Sequence, residues 1–559
     1  MKKKMNMSLS ILVASFVSLT PLYSPEASGS KWNDAEKRKI NHVFTWGNPA
    51  QSSSVLHPGS ASGAGMVKAP LEQIDDFITS AISQHVMPGA VTFVARSGHI
   101  VQHRAYGHAL LYADDNYHKV DHPIAMKKNT IFDVASISKL FTTTAAMILY
   151  EEGVFQLDDP VAKYIPRFAA NGKEEVTISQ LMTHTSGFAA WIPLYKMGNS
   201  KEDRINIVLE HPLEKNPGST YRYSDLNMIT LGVLIEVLSG KTLDQFVNEK
   251  ITQPLKMNDT MYNPPAALKK RIAATEYQPN TNRGLVWGEV HDENAWSLDG
   301  VAGHAGVFST AADLAIFAHM FLNEGKYDGK RILQKETIQK LVENQIPAFP
   351  GNEHGLGWEL FQSWFMDALS EETTLGHTGY TGTSIVVSPN NQTIAILLTN
   401  RVHPTRETVS TNGVRRQFAR QVAEAIPVTR KAGKKAWFSG YGDNANYMLE
   451  TEVHLPTEAT LSFQTWYLLE ENSDYGYVEI SQDGEKWEKM LTPFTGSSEG
   501  WKQINVPLPK ETNYIRFHYQ TDETVNGRGW YVNDADIQLK TGAVTTPIWN
   551  SDHWVERAY

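Results

Sequence analysis

Three short stretches of the 559-residue chain bring together residue types able to do chemistry. The first is FDVASISKLFTTTAA (132–146), where Ser136 stands three residues ahead of Lys139 at the start of an apolar run. A serine hydroxyl is a weak nucleophile until a neighbouring base takes its proton. Three residues along a helix return Lys139 to the face that carries Ser136. Burial lowers a lysine pKa, so Lys139 is expected to serve as that base. The helix N-terminus adds partial positive charge where an oxyanion would develop at Ser136. The second stretch is YRYSDLNMITLG (221–232), with Tyr223 where a loop enters a predicted helix after the turn signal NPGST. A tyrosine beside an ammonium is expected to be held partly as phenolate and to relay protons. Its plain structural alternative is an aromatic packed at a helix start, with Ser224 or Asp225 as the cap. The third is LGHTGYTGTSIVV (375–387), where His377, Thr378 and Gly379 open a predicted strand. Gly379 and Gly382 allow the backbone close to a ligand. The amide of Tyr380 could join that of Ser136 in an oxyanion hole. Read structurally, the same stretch is a glycine-rich strand end with an exposed histidine.

These residues need a scaffold, and the pattern from about Pro70 to Ala425 supplies one. LEQIDDFITSAISQHV has helical spacing, and GAVTFVARSGHIVQHRAYG alternates like a hairpin. DLNMITLGVLIEVLSGKTLDQFVNEKI reads as helix, and TSIVVSPNNQTIAILLTN as strand, turn and strand. Strands at both ends with helices between them predict an α+β domain whose sheet is closed by its N- and C-terminal segments. After VTRKAGKKAW the helical period disappears. Residues 436–541 alternate aromatic and β-branched residues with polar ones, and Asp483-Gly484 supplies a hairpin turn, so a separate β-sandwich is expected. The expected division is a signal peptide at 1–28, a flexible Ser- and Gly-rich segment at 29–65, a catalytic domain at 66–428, and a linker with the sandwich at 429–559.

Composition narrows the function classes. A net charge of −10 offers no basic surface for nucleic acid. Three lysines precede an apolar stretch from Leu9 to Leu22, the layout of a secretory signal peptide; the alternative is an uncleaved N-terminal anchor. The chain has no cysteine, which excludes disulfides, thiolate metal sites and cysteine nucleophiles. A secreted or extracytoplasmic protein, in contact with the cell wall and without a membrane span after cleavage, is expected. There is no G-x-S-x-G elbow, which disfavours an α/β-hydrolase.

In order and spacing, Ser136-x-x-Lys139, Tyr223-Ser-Asp225 and His377-Thr-Gly379 resemble the three-motif signature of serine β-lactamases and penicillin-binding proteins, of the class C type. LMTHTSGF (181–188) and GHAGVFSTAADLAIF (303–317) are similar to the same family, and the resemblance covers about residues 68–425. It implies a β-lactamase/transpeptidase-like fold, an antiparallel sheet flanked by helices with a helical subdomain and the nucleophile at their junction. Ser136 would form an acyl-enzyme, Lys139 and Tyr223 would share acid and base duties, and His377 would line the site, with no metal or organic cofactor. Asp225 stands where class C has Asn, and His377 replaces the lysine of K-T-G. Both departures disfavour a β-lactamase and favour a peptidase, amidase or esterase. VWGEVHDENAWSLDGVAGHAG (286–306) resembles the branch with cell-wall carboxypeptidases and muropeptide amidases. There His291, Asp292, Glu293 and His304 are candidates for a polar substrate pocket; the alternatives are a loop tied by local hydrogen bonds and a metal site, which their spacing disfavours. Arg401 is a candidate anchor for a substrate carboxylate. The implied substrate is a peptidoglycan fragment or another small acyl compound. The alternatives are a carboxylesterase, or a penicillin- or wall-binding protein without turnover. DYGYVEISQDGEKW (474–487) and GWYVNDADI (529–537) resemble the MAM-like jelly-roll modules of secreted bacterial metalloproteases, which implies a glycan or protein ligand or a bracing role beside the neighbouring domain. Asp474, Asp522 and Asp534 are weighed there as calcium ligands against ordinary turn aspartates.

Overall fold

The computed structural model describes residues 46–47, 49–428 and 435–559. The expected signal peptide, the first part of the segment at 29–65 and most of the linker lie outside them.

Alternating side chains give the main sheet two apolar faces. In β1 (Gly89–Arg96), Val91, Phe93 and Ala95 enter one core while Ala90 and Val94 enter the other. β2 (His99–Tyr112) pairs antiparallel with β1, and β3 (Glu359–Leu360), β4 (Leu375–Thr378), β5 (Ser384–Ser388) and β6 (Thr393–Thr399) continue the sheet. The spatial order is His57–Pro58, β2, β1, β6, β5, β4, β3. Pairing of β6 with β1, Ile394 opposite Ala95, joins the C-terminal strands to the N-terminal hairpin.

Helices cover both faces. α1 (Lys68–Ser83) packs Leu71, Ile74, Ile78 and Ala81 on one face, at helical spacing. α2 (Ser138–Glu151), α3 (Asp225–Ser239) and α4 (Ala311–Leu322) belong to the core of the other, where Phe141 and Phe317 stack 4.5 Å apart. α5 (Asn412–Glu424) returns to the first face with Val414, Phe418 and Val422.

Two expectations need correction. The helical run from Asp225 breaks at Gly240, whose φ of +68° caps α3, and resumes as the short helix Leu243–Val247. The Ser- and Gly-rich lead-in is seated on the sheet over its described part. His57–Pro58 runs parallel to β2, and the buried Arg96 guanidinium donates to the carbonyls of Gly47 (2.9 Å), Gly65 (2.7 Å) and Asn391 (3.0 Å). A buried cation collects carbonyl oxygens, and this lead-in supplies them.

From Ala436 onward the chain forms strands β7 (Ala436–Phe438), β8 (Asn446–Glu452), β9 (Ala459–Leu468), β10 (Tyr475–Ser481), β11 (Glu488–Lys489), β12 (Lys502–Leu508), β13 (Tyr514–Gln520), β14 (Gly529–Leu539) and β15 (Val555–Arg557). One sheet runs β12-β9-β14-β7-β15 and the other β8-β13-β10-β11. Leu461, Phe463 and Val532 of the first meet Val478, Ile515 and Phe517 of the second in their own core. Gly484 turns the chain toward β11 at φ +77°. The sandwich also shares a core with the sheet and helices before it: Phe438, Trp466 and Tyr531 pack in the cluster of α1 and α5. Among the described residues no single helix is long and apolar enough to cross a membrane.

Candidate active site

Ser136 sits in the 3-10 turn Ala135–Ile137 that leads into α2. The turn is held from behind by Asp133, which accepts from the Ala135 amide at 2.8 Å and the His291 amide at 2.6 Å. It is held from the side by the end of β4. Thr381 donates to the Asp133 carbonyl at 2.8 Å, and Gly379 approaches so closely that a Cβ there would lie 2.4 Å from the Val134 carbonyl oxygen. Lys139 is fully buried, and its ammonium donates to Ser136 Oγ at 2.8 Å, Asp225 Oδ1 at 2.9 Å and the His304 carbonyl at 3.1 Å. The Tyr223 ring lies 4.8 Å from the same nitrogen. That carbonyl is in place because α3 touches the neighbouring backbone: a Cβ on Gly303 would lie 1.9 Å from the Met228 oxygen.

The electrostatics differ from the sequence expectation. Burial pushes Lys139 down, but the Asp225 carboxylate and Tyr223 more than offset it, and its pKa is raised above the ordinary lysine value. Sequence spacing showed the burial but not the acid that reverses its effect. Tyr223 is pushed up to about 12 by burial, which the Lys139 charge only partly offsets, so at neutral pH it is a phenol rather than a phenolate. His377 is buried, not exposed; burial and then the Lys139 charge bring it down to about 3. The neutral ring donates from Nδ1 to the Thr378 carbonyl at 2.8 Å, leaving buried Nε2 as an acceptor without a partner.

Asp225 is not a helix cap. Ser224 takes the N-cap position without a capping bond, and its hydroxyl donates to the Ala189 carbonyl at 2.6 Å. The His304 ring is turned away to Asp292, Nε2 to Oδ1 2.8 Å, so His304 meets Lys139 through its backbone. Glu276 links His291, at 3.0 Å, to Arg406, whose Nε donates to it at 2.7 Å, and Arg406 in turn donates to Glu293 at 2.5 Å. That ion network supports Tyr380, whose half-exposed ring stacks on His291 at 5.8 Å. Arg401 stands 5.7 Å from the same ring. Thr378 pairs with Ser384 at the end of β4. Ser136, Lys139, Tyr223, Asp225 and His377 thus converge, while Tyr380 and Arg401 form a rim.

Several neighbours of the site were not singled out from sequence. Glu359 on β3, opposite Gly376, keeps a buried Oε2 without a partner and is pushed up to about 7 by burial, against the pull of Lys139 and Arg415. The His184 ring lies tilted 4.6 Å from that of Tyr223 and edge-on 5.3 Å from that of His354. Arg415 of α5 donates to the carbonyls of Gly379 (2.8 Å) and Thr383 (3.0 Å), fixing the turn beside Ser136. Arg415 carried a signal, a cation among the apolar positions of an amphipathic helix, and His184 lies within the family-like stretch LMTHTSGF.

A lysine-assisted serine at the junction of a helical layer and an antiparallel sheet defines a serine hydrolase of the β-lactamase type. Residues 74–420 match the Beta-lactamase family model, and the chain belongs to that family. It is 33% identical over 381 residues to a Salmonella typhi protein described as "Putative D-alanyl-D-alanine carboxypeptidase", covering 62% of this chain and 87% of that one. Among solved structures it is similar to EstCE1, a hydrolase with promiscuous acyltransferase activity (22% identity, TM-score 0.50, 64% of this chain and 99% of that one). It is also similar to a penicillin-binding protein homolog from Caulobacter crescentus (18% identity, TM-score 0.50, 65% and 98%). At these identities the two structures speak for the fold.

Proposed function

We propose that the chain is an exported hydrolase that cleaves an amide bond in peptidoglycan-derived peptides through an acyl-enzyme on Ser136, with a D-alanine terminus as the first substrate to test. The observation that carries the reading is the Lys139 ammonium 2.8 Å from Ser136 Oγ and 2.9 Å from Asp225. The carboxypeptidase description of the Salmonella relative supports the substrate class and action outside the cytoplasm. Arg401 at the rim offers a counter-charge to a terminal carboxylate.

The resting site holds one proton too many, so the reactive form is the one in which Lys139 has lost a proton. Ser136 Oγ then bonds to the substrate carbonyl carbon as its proton passes to Lys139. Tyr223 passes a proton to the leaving nitrogen as the C–N bond breaks and regains one from the Lys139 ammonium, which restores the neutral lysine; water then repeats the sequence on the ester, giving the carboxylic acid and free Ser136. Muropeptides incubated with the protein and read by mass spectrometry should lose terminal D-alanine or the whole peptide, and Ser136→Ala should abolish the loss. Intact muropeptides with the native protein would overturn the proposal. A second reading, carboxylesterase, is favoured by Asp225, whose carboxylate lacks the N–H with which Asn meets an acyl-amide carbonyl. Ser136-dependent cleavage of p-nitrophenyl esters with intact muropeptides would select it. Stable labelling by a fluorescent penicillin without hydrolysis of either substrate would select a binding protein.

A further inference from the structure

Away from the nucleophile, three acidic side chains converge on loops at one end of the C-terminal sandwich. Glu470 and Asp474 lie between β9 and β10, and Asp522 follows β13. One carboxylate oxygen from each lies within 4.8 Å of the others. Calcium holds oxygen ligands at about 2.3–2.6 Å, so two ligands of one ion are at most about 5 Å apart. Asp534, grouped with these residues on sequence grounds, lies in β14 and is not part of the cluster.

Proximity of acids alone proves nothing, but two oxygens here are orphaned. Asp474 is 0% exposed; its Oδ1 accepts from the Asp522 amide at 3.2 Å, while its buried Oδ2 has no hydrogen-bond partner. Glu470 Oε2 is likewise buried and unpartnered. Buried carboxylates are paired, hydrogen-bonded or bound to metal. The nearby Arg416 is committed elsewhere, to the Thr524 carbonyl at 2.8 Å and to Asp367 at 3.2 Å.

We propose that Glu470, Asp474 and Asp522 form a calcium site. An all-oxygen set of anionic ligands on two separate loops suits a hard ion with flexible coordination, and suits Mg²⁺, with its near-ideal octahedral demand, less well. Backbone carbonyls and water complete the shell. The ion cross-links the 470–474 and 522 loops, and the second also holds the Asn444 amide, which donates to the Asp522 carbonyl at 2.5 Å. Through Thr524 and Arg416 this end of the sandwich touches α5, the helix whose Arg415 fixes the turn at Gly379. The site therefore braces the sandwich against the hydrolase without entering its chemistry.

The test uses the full chain stripped with EDTA and titrated with CaCl₂ by calorimetry, with MgCl₂ in parallel. One Ca²⁺ per chain should bind at or below about 1 mM, the range of extracellular modules, and the Tm should rise by several degrees. Asp474→Asn should lose both responses, with a Tm in EDTA at least equal to that of the native chain, because one uncompensated buried charge is gone. Asp522→Asn, at a more exposed position, provides the same comparison if the first variant fails to fold. Absence of both heat and Tm shift at about 5 mM Ca²⁺, an equal response to Mg²⁺, or a calcium response retained in the variants would overturn the proposal.

Discussion

Lys139 contacts both Ser136, the proposed nucleophile, and an acid, and which contact governs its proton sets the pH behaviour. Its pKa is raised because Asp225 and Tyr223 outweigh burial. The neutral, base-competent lysine is therefore a minor form at pH 7 that grows about tenfold per pH unit. kcat/KM, which reports the free enzyme, should climb with pH through the neutral and alkaline range. Asp225→Asn removes the carboxylate, so the ammonium loses its stabilising partner and the alkaline limb should move down by about one pH unit or more. An unmoved limb would show that Asp225 does not set the lysine's proton affinity. Ser136→Ala should reduce hydrolysis by about 10³-fold or more, with the circular-dichroism spectrum unchanged. The approach of Lys139 to Ser136 was legible from their spacing, and the convergence of Tyr223 and His377 on them from the order of the three motifs along the chain. The proton balance was not legible, because it depends on Asp225 meeting Lys139 across two helices.

At the scale of elements, the nucleophile turn and the end of β4 act as one piece. Gly379→Ala puts a Cβ 2.4 Å from the Val134 carbonyl oxygen and 2.1 Å from Thr383 Oγ1, so the two segments must separate. A displacement of this kind beside the nucleophile should lower the Ser136 acylation rate by about 10²-fold, read by burst kinetics, while sheet and helices keep their spectrum. Arg415→Ala should act in the same direction, because the carbonyls of Gly379 and Thr383 lose their shared donor. Helix α1 was readable from period, since Leu71, Ile74, Ile78 and Ala81 recur at helical spacing, whereas β1, β5 and β6, buried throughout, were readable as short apolar runs bounded by turn residues. The break at Gly240 was masked by apolar residues that continue on both sides of it. Glu359 and His354 reach the site from separate segments, and no local spacing marks a residue whose partner lies far along the chain.

Over the whole molecule, the sandwich is a structural part of the hydrolase and not a tethered appendage. Arg557 on β15 pairs with Glu424 of α5 at 2.7 Å and lies 3.4 Å from the Phe438 ring, both charges largely buried. Trp501 Nε1 donates to the Val428 carbonyl at 2.7 Å, just past the end of α5. Trp466 and Tyr531 share the apolar core of α1 and α5, with Trp466 meeting the Trp46 ring edge-on at 5.9 Å. Removing one partner of a buried ion pair leaves the other charge unpaired, a loss of about 3 kcal/mol or more. Arg557→Ala should therefore lower the urea midpoint of the entire chain, in one transition observed alike by tryptophan fluorescence and by loss of Ser136 acylation. The double variant Arg557→Ala, Glu424→Gln should recover part of that loss, because no buried carboxylate then stands alone. A tethered module would behave differently: fluorescence would show an early separate transition, and acylation would persist to the native midpoint. Coincident transitions would place residues 436–559 within the folding unit that holds Ser136 in place.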